Sequence, residues 1–262
     1  MIQLDTFLTI GKQHRVCEDY ILSGMKPVPY LILSDGCSSA KKSDVGSRIL
    51  CHIAEKLLKE LLSYEPYING CDFGKAVIQR SRVISDQFEL DTSSLDATLI
   101  VCFYEQSTDT VQVHMFGDGH VFLFNDNVIY EYCIKFEPNA PHYLSYYLSS
   151  TRKQDYHNMQ VKKSISVKSV GVVVEHNESW TNFPLSMLGF KGFLACTDGI
   201  DSLLSIENKV ATLDAAKIFT AYKTTGGEFL KRRATAGLRQ YNKEGIENYD
   251  DLSIGCFLKT ED

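Results

Sequence analysis

Leu31-Ile32-Leu33-Ser34-Asp35-Gly36 is an apolar, β-rich run that stops on a carboxylate followed by glycine. Glycine lets the backbone turn away there, which leaves the aspartate at the rim of a sheet. The pattern recurs in Val113-His114-Met115-Phe116-Gly117-Asp118-Gly119 and in Phe193-Leu194-Ala195-Cys196-Thr197-Asp198-Gly199. It runs in reverse in Tyr249-Asp250-Asp251, which leads into Leu252-Ser253-Ile254-Gly255-Cys256-Phe257-Leu258. Glu18-Asp19 adds an acidic pair ahead of the apolar Tyr20-Ile21-Leu22. A single Asp-Gly is an ordinary turn. Several carboxylates at one rim repel unless a cation sits between them, which points to a hard-metal site and a metal-dependent hydrolase.

Around these stops the chain reads as strands and helices. Ile2–Ile10 and Pro29–Ser34 are expected strands. Ser43–Tyr64 is an expected helix, because Val45, Ile49, Ile53, Leu57, Leu58, Leu61 and Leu62 recur at helical spacing. A second helix is expected over Cys71–Phe88, with Phe73, Val77, Ile78, Ile84 and Phe88 near one face. Strands follow at Ala97–Tyr104, Thr110–Phe116 and His120–Phe124, the last continuing towards Tyr130. The polar, tyrosine-rich Pro138–Gln160 reads as irregular with a short helix. Val170–Val174 and Gly192–Cys196 are expected strands, Leu213–Tyr222 and Glu228–Tyr241 helices, and Leu252–Leu258 a closing strand. Short spacings between strands favour antiparallel hairpins over βαβ crossovers. The architecture implied is α+β, a sheet pair with helices outside.

A chain of 262 residues is long enough for one large domain, and it shows no repeat, low-complexity stretch or linker. One domain over 1–262 is therefore expected. A net charge of −6 argues against a general nucleic-acid binder. No secretory signal is legible, and no apolar run reaches the roughly 20 residues of a membrane span. Eight cysteines without a Cys-x-x-Cys pair read as reduced thiols in a cytoplasmic protein.

Rival phosphate chemistries are tested by spacing. No cysteine has arginine six places on, Asp-x-Asp is absent, and no P-loop occurs. Asp118-Gly119-His120 fits the Asp-x-His of calcineurin-type enzymes, but their later Gly-Asn-His is missing. Ser38-Ser39-Ala40-Lys41 matches Ser-x-x-Lys without its companion motifs. The seven histidines never form His-Glu-x-x-His, which disfavours zinc.

The order of motifs resembles the metal-dependent PPM/PP2C-type Ser/Thr protein phosphatases, closest to their compact bacterial subgroup, over essentially the whole chain. Gly11 to Asp19 resembles the first motif, with its closing acidic pair. Ser34-Asp35-Gly36-Cys37-Ser38-Ser39-Ala40-Lys41 resembles the Asp-Gly motif before the first long helix. Asp96-Ala97-Thr98-Leu99 stands where the family usually has Gly-Thr-Thr or a relative. Phe116-Gly117-Asp118-Gly119, Cys196-Thr197-Asp198-Gly199-Ile200 and Tyr249-Asp250-Asp251-Leu252-Ser253 resemble the last three.

The resemblance implies a four-layer α/β/β/α sandwich, two antiparallel sheets flanked by helices, with a metal cluster at one end. It implies Mn²⁺ or Mg²⁺, two ions and a third weaker one. Asp35 would bridge two ions, Asp198 and Asp250 complete the first, and the Gly36 carbonyl with Glu18 or Asp19 the second. Asp118 and Asp198 match the third position. The implied reaction is hydrolysis of phosphoserine and phosphothreonine by metal-activated water. The implied partners are phosphoproteins, substrates of a Ser/Thr kinase, met by a monomer without nucleic acid or membrane. A variable flap beside the cleft is expected within 136–165. Arg15 lies slightly closer to the acidic pair than the family's phosphate-binding arginine, so Arg15 or His14 takes that role, supplemented by Lys41 or Lys42. Asp251 is expected to orient Asp250. Cys37 stands where some members have histidine, and together with Cys17 it is either a packing residue or an oxidation-sensitive thiol. The departures at Cys37 and Arg15 leave a second reading, a phosphoprotein-binding module of the same shape that does not cleave.

Overall fold

The runs that read as continuous apolar strands are buried on both faces, as strands in the middle of a layered structure must be. The computed structural model describes residues 1–64, 69–169, 182–205 and 209–260, and the backbone of 172–176. In chain order the elements are β1 (Ile2–Thr9), β2 (Tyr20–Gly24), β3 (Tyr30–Ser34), α1 (Ser43–Leu62), α2 (Gly70–Gln87), β4 (Leu99–Glu105), β5 (Thr110–Phe116), β6 (Gly119–Phe124) and β7 (Ile129–Glu137). They continue with α3 (Ser150–Asn158), β8 (Lys162–Ser169), β9 (Val172–His176), β10 (Asn182–Ser186), β11 (Gly192–Cys196), β12 (Leu203–Leu204), α4 (Thr212–Thr220), α5 (Phe229–Lys243), β13 (Glu247–Asn248) and β14 (Leu252–Lys259).

One sheet has seven strands in the order β1-β14-β11-β6-β7-β8-β9, the other five in the order β10-β5-β4-β3-β2. Every neighbouring pair in both sheets is antiparallel. Side-chain alternation sorts each strand between two cores. Leu31, Leu33, Ile100, Cys102, Val121, Phe193 and Phe257 fill the space between the sheets. Tyr30, Ile32, Leu99 and Val101 face outwards onto Leu50, Leu57, Leu58, Phe73 and Val77 of α1 and α2. Phe122, Leu194, Ile254 and Cys256 face Ala216, Phe219, Leu230 and Ala234 of α4 and α5. Three cores between four layers give the α/β/β/α sandwich that the sequence implied. The sheets approach closely at Gly255, where a Cβ would lie 2.6 Å from Leu31 Cδ2.

The helices fall where the apolar spacing put them, within two residues at each end. Asn69 caps α2, its side chain accepting from the N–H groups of Cys71 and Asp72 at 3.0 and 3.4 Å. Five strands were not expected, the two-residue β12 and β13 among them. Tyr20–Gly24 is short, β8 is polar with only Ile165 buried, and Asn182–Ser186 lies on an edge. The strand from His120 does not run on to Tyr130. Asn125 accepts from the N–H groups of Asn127 and Val128, closes a turn, and starts a separate strand at Ile129. Of the strand expected at Val170–Val174, residues 170 and 171 lie outside the described residues, and the rest falls in β9. The segment after β7 holds a 3₁₀ turn, Leu144–Leu148, and α3. No helix among the described residues is long and apolar enough to cross a membrane.

Candidate metal centre

Register brings the acidic stops together. Leu33 pairs with Ile100 and Leu99 with Phe116, so the end of β3, the start of β4 and the end of β5 share one pole of their sheet. Cys196 pairs with both His120 and Ile254, so the start of β6, the end of β11 and the start of β14 share the same pole of the other. Asp19, Asp35, Asp118, Asp198 and Asp250 stand just beyond these strand ends. Asp118 sits in a tight turn between Gly117 at φ 99° and Gly119 at φ 141°, both in the left-handed region.

Asp19 and Asp118 are buried, Asp35 and Asp198 partly so, the Asp250 side chain is 43% exposed, and the five act on one another. Burial pushes Asp35 well above the usual carboxylate range, and Asp198, Asp19, Asp250 and Asp118 push it further. Burial, with Asp198 beside it, raises Asp19 to about 7, although Thr197 donates to it. Asp118 rises to about 7 from burial and from Asp198. Burial and Asp250 raise Asp198. Thr197 Oγ1 donates to Asp19 Oδ2 at 2.8 Å and accepts from Ser253 N–H at 3.0 Å. Asp19 Oδ1 is buried and has no hydrogen-bond partner. An orphaned carboxylate oxygen among mutually repelling carboxylates is a place that a cation would satisfy. The donor set, all carboxylate and carbonyl oxygen, fits Mn²⁺ or Mg²⁺.

Glu18 is placed differently from Asp19. Its carboxylate accepts from Ser43 Oγ at 2.8 Å, at the N-terminus of α1. Its carbonyl accepts from Gly36 N–H at 3.2 Å and Ser47 Oγ at 2.7 Å. Gly36 has no room for a side chain, since a Cβ would lie 2.9 Å from the Ser43 backbone. His14 lies between carboxylates, with Nδ1 3.0 Å from Asp251 and 3.6 Å from Glu18, and Nε2 3.2 Å from Asp250. Partial burial works against its charge, but Asp251, Asp250 and Glu18 raise its pKa overall. His14 is thus committed inside the protein. Arg15 is exposed at the rim, without an ion pair to another described residue.

Asp251 does more than orient its neighbour. Its N–H donates to Asp250 Oδ1 at 2.8 Å, as expected of an orienting group. Its buried carboxylate also accepts from Gly11 N–H at 2.7 Å and Glu18 N–H at 2.6 Å, which shapes the whole 11–18 loop. Cys17 is half-buried, and burial with Asp251 and Asp19 pushes its thiol up to about 12, away from the reactive thiolate.

Sequence reading missed two further sets. Thr98 Oγ1 accepts from Asp35 N–H at 3.0 Å, which seats the Asp35 backbone on β4. On the outer face of the seven-stranded sheet, buried His120 has Nδ1 2.9 Å from Glu131 and Nε2 3.4 Å from Asp201, which Lys135 also contacts at 2.8 Å. Burial alone would raise Asp201, but His120, Lys135 and Thr212 hold it well below the usual range. This network anchors the 3₁₀ turn Asp198–Ser202, and hence Asp198, to β6 and β7. Asp118-Gly119-His120 was the one visible signal for it.

The model of the family described as protein phosphatase 2C matches residues 11–226. The chain belongs to that family. A bacterial serine phosphatase superposes with a TM-score of 0.58 at 12% identity, covering 100% of this chain and 99% of the other. The serine/threonine phosphatase Stp1 from Staphylococcus aureus gives 0.57 at 12% identity, covering 100% and 96%. The catalytic domain of the serine threonine protein phosphatase PstP, solved with two manganese ions, gives 0.50 at 12% identity, covering 99% of each chain. At such identities these likenesses speak for the fold. A comparison with curated protein sequences finds no significant match.

Proposed function

We propose that this chain is a metal-dependent protein serine/threonine phosphatase working at a binuclear Mn²⁺ or Mg²⁺ centre. The observation that carries the reading is the five-aspartate cluster with its orphaned, buried Asp19 oxygen. Asp35, which interacts with the other four, would serve both ions, Asp198 and Asp250 would help hold one, and Asp19 with the Gly36 carbonyl the other. Glu18 supports the second site from its Ser43 contact, and Asp118 with Asp198 offers a weaker third position. Ions bound there would supply a nucleophilic water at neutral pH and neutralise phosphoryl charge. Arg15 at the rim receives the phosphate dianion, for which its planar, permanently charged fork is suited. His14 stays bound to Asp251 and Asp250 and orders the loop that presents Arg15. The segment 138–161 forms the flap beside the cleft. The manganese in the PstP structure supports the choice of ion. Phosphoproteins made by a Ser/Thr kinase are the proposed partners. Eight free thiols accord with a reducing, cytoplasmic setting.

Purified protein is tested on p-nitrophenyl phosphate and on a phosphothreonine peptide, with Mn²⁺ and with EDTA. Turnover with Mn²⁺ that EDTA abolishes is expected. A metal-loaded protein that binds the peptide and turns over neither substrate sinks the catalytic reading in favour of a binding module.

A further inference from the structure

Asp96 replaces the glycine usual at its place in the family motif, and its side chain has specific work. Its backbone packs along the Asp35-Gly36-Cys37 loop. The Asp96 carbonyl accepts Cys37 N–H at 2.8 Å, Ala97 bridges to Gly36, and Thr98 N–H donates to the Asp35 carbonyl at 2.8 Å. Its side chain reaches the opposite way, into the segment after β7. Ser145 Oγ donates to Oδ1 at 2.5 Å and Arg152 Nη2 to Oδ2 at 2.6 Å. The carboxylate is only 11% exposed, so the acceptor side of this charge-assisted pair is shielded from solvent, while Arg152 is 31% exposed. Arg152 lies 4.7 Å above the Tyr146 ring, and that ring is 5.7 Å from Tyr143. Burial, with Cys37, Asp35 and Asp118 nearby, pushes the Tyr143 hydroxyl up. The contacts therefore run from the Asp96 carboxylate through Arg152 and Tyr146 to Tyr143, while the Asp96 carbonyl holds Cys37.

We infer that Asp96 is a positioning residue that clamps the 138–161 segment to the Asp35-Gly36-Cys37 loop and sets the wall against which a substrate peptide lies. The role in turnover rests on the phosphatase reading; the clamp itself does not. A lone pair on a surface helix would add little, because solvent screens it. Here one shielded carboxylate joins two parts of the chain that share no strand pairing.

Asp96→Asn keeps an acceptor for Ser145 and loses the ion pair, and Arg152→Lys keeps the charge and loses the planar fork. Amide hydrogen exchange over 143–158 is followed in the full chain. Asp96→Asn and Arg152→Ala are each expected to speed exchange there about tenfold, with the double variant little worse than either single one. Arg152→Lys should recover part of the protection. In turnover, the KM for a phosphothreonine peptide should rise about fivefold or more, with kcat/KM for p-nitrophenyl phosphate held within about twofold. Equal losses on both substrates, tracking a fall in Tm, would reduce the pair to a structural one and overturn the positioning role. Unchanged exchange, or additive single variants, overturns the clamp whether or not the protein turns over. A wild-type protein inert on both phosphates with Mn²⁺ overturns the phosphatase reading alone, because exchange is read without turnover.

Discussion

Asp35 is held among four other aspartates, and its burial makes each of them costly without a cation. Removing one negative charge therefore acts in opposite directions on function and stability. Asp35→Asn and Asp198→Asn are expected to lower Mn²⁺-dependent turnover by about a thousandfold or more while raising the Tm of the metal-free protein. Asp118→Asn, at the weaker position, should cost only about tenfold. Kinetics with Mn²⁺ and thermal melts in EDTA check both halves. A graded loss in which Asp118 matters most would reverse the proposed roles. Thr197→Val removes the donor to Asp19 and the acceptor for Ser253 N–H together. It should destabilise the protein by about 1–3 kcal/mol in urea unfolding. Residue identity made the aspartates legible as candidates. The jobs of Thr197, Thr98 and the Asp251 carboxylate were not legible, because each acts on a partner far away in the chain.

The elements reach the centre through a few close contacts. Gly46 of α1 is one, since a Cβ there would stand 1.7 Å from the Ser94 carbonyl oxygen. Gly46→Ala must push α1 away from the 3₁₀ turn Thr92–Leu95, which leads directly to Asp96 and Thr98. A loss of roughly 3 kcal/mol is expected, as for overpacking against backbone, seen as a lower Tm and a weaker Mn²⁺ response. Helices were readable because their apolar spacing is dense and repeated. Val45, Ile49, Ile53, Leu57 and Leu61 leave no other period. Strands with few buried side chains were not, because β8 and the edge strand β10 bury little and owe their conformation to β7 and β5. The division at Asn125 was hidden for a related reason, a turn made by one side chain inside an apolar stretch.

The whole molecule carries the charge of its centre as a pH dependence. Asp19 and Asp118 titrate at about 7 in the fold, against about 3.9 in an unfolded chain. Between those values the native state keeps protons that the unfolded chain has released, so stability falls as pH rises. His114 acts in the other direction. It is buried between Phe73 and Phe103, and burial lowers it to about 4. It therefore costs stability only as pH drops from about 6.5 towards 4. The metal-free Tm should decline between about pH 5 and 7, where the two raised carboxylates outweigh His114. Saturating Mn²⁺ should remove the decline. A metal-free Tm that is flat or rising over that range counts against the buried cluster. By itself, the order of residues determined the local states: which stretches are apolar on both sides, which are helical, and where a carboxylate ends a strand. Those follow from periodicity and from glycine, which act within a few residues. Only the tertiary structure decided that Asp19 rather than Glu18 enters the cluster, that His14 is tied to Asp251 while Arg15 is exposed, and that Asp96 holds Arg152. Such choices depend on strand register and on the direction of side chains across layers, which arise only when segments from both ends of the chain pack together.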